Sequence, residues 1–141
     1  MNMDEILINK QTTINRCLKR INEDFQDDFE SNFTKQDAVI LNIERACQAA
    51  IDMGNRVIRI QKLGLPQSNR DTFVKLEING IISQELSRKM QAMAGFRNLA
   101  VHDYGSMNIA VVIDIIESRI KDLPIFASLI VTQFGNISNS V

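Results

Sequence analysis

The stretch Thr34–Gln61, TKQDAVILNIERACQAAIDMGNRVIRIQ, decides the fold. Ile40, Ile43, Cys47, Ala50 and Val57 recur at helical spacing and form one apolar stripe, while Val39, Ala46, Met53 and Ile60 form a neighbouring one. So wide an apolar face marks a central helix, touched by several others or by a partner. Thr34 followed by Asp37 reads as an N-cap with a favourable first-turn acid. Leu63-Gly64-Leu65-Pro66 reads as the stop: Gly64 supplies the left-handed C′ position and Pro66 cannot continue a helix.

The rest of the chain repeats that helical grammar. Upstream, about Met3 to Asp24, Leu7, Ile14, Leu18, Ile21 and Phe25 recur at near-heptad spacing, with Ile6 and Cys17 widening the stripe. An acidic link, Glu23 to Glu30, follows. Downstream, Ser68 or Asn69 can cap a short helix through Phe73 and Leu76, which Asn79-Gly80 breaks. From about Ile82 a longer pattern carries Leu86, Met90 and Met93 towards Gly95. Ser106 can cap a helix holding Ile109, Val112, Ile113, Ile116 and Ile120, and Asp122 with Pro124 fits the start of a last helix, beyond which NISNSV should fray. No useful length alternates with a period of two, so the class is all-α: an up-down bundle of five to six helices in a single domain, residues 1–141.

Composition bounds the function. The chain has 141 residues, 45% hydrophobic and 23% charged, which suits one core and no disordered or membrane-spanning class. Sixteen Lys and Arg against seventeen Asp and Glu give a net charge of -1, which excludes nucleic-acid binding by sheer charge. The segment Arg45–His102 is locally basic, however. The N-terminus MNMDEILINKQ has neither a basic n-region nor a cleavage site, so a cytoplasmic location is expected. Cys17 and Cys47 have no second thiol or histidine near them and read as reduced, buried thiols. No Gly-rich phosphate loop, zinc spacing or paired-carboxylate pattern appears, and neither cofactor nor metal is expected. Met90 and Met93 read as packing, and Arg56, Arg59 and Lys62 read equally as an RNA groove or a charged helix end.

The one histidine and the one tyrosine stand together in GFRNLAVHDYG, Gly95–Gly105. Arg97 and His102 are five apart, about 140° from each other on an ideal helix, whereas Arg97 and Tyr104 share a stripe. A straight helix does not join all three. Either it ends or bends here, as Gly95 and Gly105 would permit, or the groups meet through a second copy of the chain. Asn98 could donate to a phosphate, hold the imidazole or sit on the helix surface, and Asp103 could orient the imidazole or face solvent.

Arg97-Asn98-Leu99-Ala100-Val101-His102, extended by Tyr104, resembles the Arg-polar-spacer-His motif of HEPN-domain ribonucleases, in the form found in HepT-type toxins of HEPN/MNT toxin–antitoxin modules. Ile40–Asp52, the Leu63–Pro66 turn and Phe73–Leu76 are similar to that family as well. The resemblance implies a homodimeric, metal-independent endoribonuclease of a type VII-like system, with Arg97 and His102 catalytic and Asn98 and Tyr104 in support. It further implies that an MntA-like nucleotidyltransferase antitoxin silences the toxin by transferring AMP to Tyr104. Metal-free RNA cleavage requires deprotonating a 2′-OH, stabilising charge on phosphorus and protonating the departing 5′-oxygen. Two proton transfers want two titrating groups, and a dimer supplies the second histidine. Arg97 suits the phosphate as a planar fork of permanent charge. The alternative is a non-catalytic helical subunit that binds nucleotide or scaffolds a nucleotidyltransferase.

Overall fold

A computed structural model describes residues 3–136. Among them six α-helices and three short turns of other helix types build an antiparallel bundle. Helix α1, Glu5–Asp24, starts at Asp4, whose carboxylate accepts from the Leu7 N–H at 3.1 Å, and it buries Leu7, Ile14, Cys17 and Ile21 on one stripe. A 3₁₀ turn, Phe29–Ser31, follows the acidic link; buried Phe29 meets Phe25 edge-on at 5.1 Å. Helix α2, Phe33–Ile60, is the central one and packs against α1 and the helices that follow.

The cap of α2 is Asn32 rather than Thr34: its side chain accepts from the Lys35 N–H at 3.1 Å. Burial of Phe29 ends the preceding turn at Asn32 and hands it the extended conformation a cap needs. At the other end the left-handed C′ residue is Lys62 (φ 54°), not Gly64. The Leu63 N–H bonds the Ile58 carbonyl at 3.0 Å and the Lys62 N–H bonds Arg59 at 3.3 Å, a Schellman closure. Leu63, packed on the core, supplies the apolar contact this closure favours, and that burial outweighs the strain on Lys62.

Helix α3, Asn69–Ile78, is capped by Ser68 and closes at Gly80 (φ 72°) in the same Schellman pattern. It crosses α2 closely: a Cβ on Gly54 would stand 2.6 Å from the Thr72 methyl. Helix α4, Gln84–His102, starts at Ser83 and runs through Gly95 without interruption. A 3₁₀ turn, Tyr104–Ser106, leads to α5, Ile109–Asp114, whose cap is Asn108; Ser106 instead donates to Asp103 at 2.7 Å and belongs to the turn. One π-helical stretch, Ile115–Arg119, leads through the turn Ile120–Lys121 into α6, Asp122–Phe134. Lys121 is already helical there, so Asp122 lies buried inside the helix and caps nothing. Phe126 of α6 packs edge-on against Phe73 at 5.3 Å. Asp4 N–H bonds the Gly135 carbonyl at 2.8 Å and ties the two ends of the chain together. Of the segment expected to fray, residues 137–141 lie outside the described ones. Among the described residues no helix is long and apolar enough to cross a membrane.

Candidate active site

The motif occupies the last two turns of α4 and the 3₁₀ turn behind them. Because α4 passes through Gly95 intact, Arg97 and His102 leave one continuous helix about 140° apart. The helix does not break at Gly95. Its missing side chain is filled by the Arg70 guanidinium instead, which a Cβ would meet at 3.1 Å from Cζ.

Arg97 leaves α4 on the side of α2, half-buried, where its charge acts on the Cys47 thiol. Its Nη1 donates to Asn98 Oδ1 at 3.3 Å, and its buried Nε has no acceptor among the described residues. Asn98 Oδ1 also accepts from Asn69 Nδ2 at 2.9 Å. Asn98 therefore steadies the arginine and ties α3 to α4; among the described residues it does not bond the imidazole. A guanidinium has five N–H donors, and a buried one without a partner carries an uncompensated desolvation cost that an incoming oxyanion would relieve.

His102 is the final residue of α4 and is exposed. Tyr104 follows in the 3₁₀ turn, 45% exposed, and its hydroxyl donates to the Asp37 carboxylate of α2. Lost solvation, and then the hydrogen bond and charge of Asp37, push the Tyr104 pKa up to about 12. The α2 acid read as a helix-start charge is thus the tyrosine's partner, 67 positions away in the chain. Asp103 faces solvent, as one of its two readings had it, and its carboxylate accepts from Ser106 at 2.7 Å and closes the turn; among the described residues it does not bond the imidazole.

The remaining candidates take structural places. Burial raises the pKa of both free thiols, Cys17 and Cys47, which leaves them poor nucleophiles. Met90 and Met93 are core. Arg56 is committed to Asp4, with Nε and Nη2 each 3.1 Å from Oδ2, whereas Arg59 and Lys62 are exposed and have no ion-pair partner among the described residues. Among the described residues no group of three or more His, Cys, Asp or Glu could hold a metal. A cleft of about 520 Å³ opens between the end of α2 and the start of α3, with Asn55, Arg59, Leu65 and Asn69 in its wall. Its lining includes neither Arg97 nor His102. Sequence reading missed Asp37 and Asn69 as partners of the motif; both are ordinary cap-type residues whose partners are distant in the chain.

The profile of the HepT-like ribonucleases matches residues 11–130. The mRNA nuclease HepT of Shewanella oneidensis is 45% identical over 130 residues, 91% of this chain and 98% of that protein. The tRNA nuclease HepT of Aphanizomenon flos-aquae is 27% identical over 109 residues, 77% of this chain and 74% of its own. A solved structure of the tri-AMPylated Shewanella oneidensis HEPN toxin in complex with an MNT antitoxin superimposes with a TM-score of 0.87 at 44% identity, covering 92% of this chain and 99% of the other. With the profile spanning most of the sequence and the bundle shared at that similarity, the chain belongs to the HepT-like family of HEPN ribonucleases.

Proposed function

We propose that this protein is the toxin of a HEPN/MNT toxin–antitoxin pair: a cytoplasmic, metal-independent endoribonuclease whose single domain spans the chain. The observation that carries the reading is the exposed His102 at the end of α4, on the same helix as an Arg97 held by Asn98 with a buried N–H that is unpaired among the described residues. An imidazole free in solvent and a fixed guanidinium are the two groups that metal-free phosphodiester cleavage needs. The nuclease relatives and the toxin–antitoxin complex support it.

Two chains face each other as a homodimer, and the pair of motifs forms one composite site. One His102 takes the 2′-OH proton as that oxygen attacks phosphorus. The Arg97 side chains neutralise the added charge, and the second His102 protonates the departing 5′-oxygen, leaving a 2′,3′-cyclic phosphate. The 140° divergence within one chain is then no obstacle, because the second chain supplies the missing direction.

The nucleotidyltransferase antitoxin silences the site by placing AMP on Tyr104, two residues from His102. Each AMP brings bulk and negative charge to a surface that would otherwise receive RNA phosphate.

The test is cleavage of total cellular RNA by the purified, unmodified protein in EDTA, with His102→Ala and Arg97→Ala prepared identically and the product ends analysed. Cyclic phosphate ends from the parent are expected to be lost in both variants, a fall of at least about 100-fold for the histidine. A folded parent that cuts nothing would move the protein to the scaffold reading.

A further inference from the structure

Arg70 stands in the first turn of α3, exposed, and among the described residues no carboxylate or hydrogen-bond acceptor holds it. Its neighbour Asp71 is turned to the Gln67 N–H, at 2.8 Å. The guanidinium nonetheless has a defined seat on α4, in the space a side chain at Gly95 would fill. The Asn69–Asn98 bond at 2.9 Å fixes the approach of α3 at that level. Gly95 and His102 are seven residues apart, so they share one stripe of α4, and the guanidinium lies about 10 Å along that stripe from the histidine. Arg97 leaves the helix on the opposite side and is tied to Asn98. The stripe therefore presents a cation that has no structural partner beside the group expected to move protons.

Resting on the ribonuclease reading above, we propose that Arg70 is a positioning residue for RNA: seated on Gly95, it binds a backbone phosphate neighbouring the scissile one and fixes which phosphodiester reaches His102. A guanidinium held against a helix backbone loses less freedom on binding an anion than a free surface side chain. The contact is made equally before and during the reaction, so it acts on substrate affinity rather than on the chemical step.

The experiment uses the full chain with Arg70→Ala, Arg70→Lys and Gly95→Ala, and Lys89→Ala as a charge-matched control on the far end of α4, where Lys89 pairs with Glu85. Binding is read with a 2′-O-methyl RNA oligonucleotide across a salt series, and cleavage with the matching unmodified RNA. Arg70→Ala should weaken binding about tenfold and reduce the salt slope by about 0.7, the value of one single-strand phosphate contact. It should raise KM in proportion while leaving kcat within about twofold. Gly95→Ala should act in the same direction with the charge retained, because it displaces the guanidinium, and Arg70→Lys should recover the salt slope but only part of the affinity. Parent-like affinity, slope and KM in Arg70→Ala would overturn the inference while leaving the nuclease intact, as would an equal loss in Lys89→Ala. A parent that binds RNA but never cuts it would overturn the nuclease reading, with the role of Arg70 in binding still decided by affinity. A parent that neither binds nor cuts RNA overturns both.

Discussion

The middle of α2 and the end of α4 carry similar mixtures of small, apolar and polar residues, yet the bundle treats them oppositely. Ala46, Cys47, Ala50, Met53 and Val57 of α2 are sealed, because α1, α3, α4 and α6 all pack against that helix. Leu99, Val101, His102 and Tyr104, at and just beyond the end of α4, remain exposed. Stability is concentrated in the first region and the candidate site in the second, with Arg97 reaching back from one to the other. Residues at the end of α4 can therefore change, or be modified, without disturbing the core.

Three substitutions probe that division. The largest effect should come from Ile43→Ala, which empties a fully buried site on α2 and should cost about 2–5 kcal/mol. Val101→Ala, on the exposed end of α4, should stay within about 0.5 kcal/mol. Denaturant unfolding of both variants compares them directly, and equal losses would erase the contrast. Next comes Lys62→Gly at the left-handed end of α2, expected to stabilise the fold by about 1 kcal/mol because the strained φ of 54° suits glycine. No gain would mean that the lysine's own contacts repay the strain.

The smallest effect is confined to alkaline solution. Tyr104 titrates at about 12 in the fold, against about 10 in an unfolded chain. A raised folded pKa favours the fold while the phenol keeps its proton. That contribution is complete below about pH 10 and is lost as pH rises through about 12. In Asp37→Asn the ultraviolet absorbance of the tyrosinate should appear at lower pH, yet still above the free value, because lost solvation remains the first cause of the shift. A variant that titrates with the parent would detach Asp37 from the tyrosine.

Helices were legible because burial of one face repeats every three or four residues, and nothing else in the chain imitates that period. Their ends were less so. Asn32 and Thr34 both suit a cap, as do Ser106 and Asn108, and the choice is made by what packs before them: Phe29 in one case, and the Asp103–Ser106 bond closing the turn in the other. Arg97, His102 and Tyr104 stood out because a sole histidine and a sole tyrosine fall together. Their partners did not. Asn69 meets Asn98 across 29 positions and Asp37 meets Tyr104 across 67, and such meetings are set by how helices cross, which no local spacing encodes. Gly95 could have permitted a bend and is instead a seat for Arg70, a distinction visible only once α3 is laid beside α4.

The bond from Tyr104 to Asp37 also gives the chain a preferred chemical state. A phenol has one proton to donate, and esterifying its oxygen removes that proton for as long as the ester lasts. The α2–turn strap would then fall open, and a phosphodiester there would leave two negative groups where a donor and an acceptor had met. Any esterification at this oxygen runs uphill against the strap, and any hydrolysis that restores the phenol is helped by its return. The fold thus biases the residue towards its bare form, and keeping it covered falls to whatever else holds the added group.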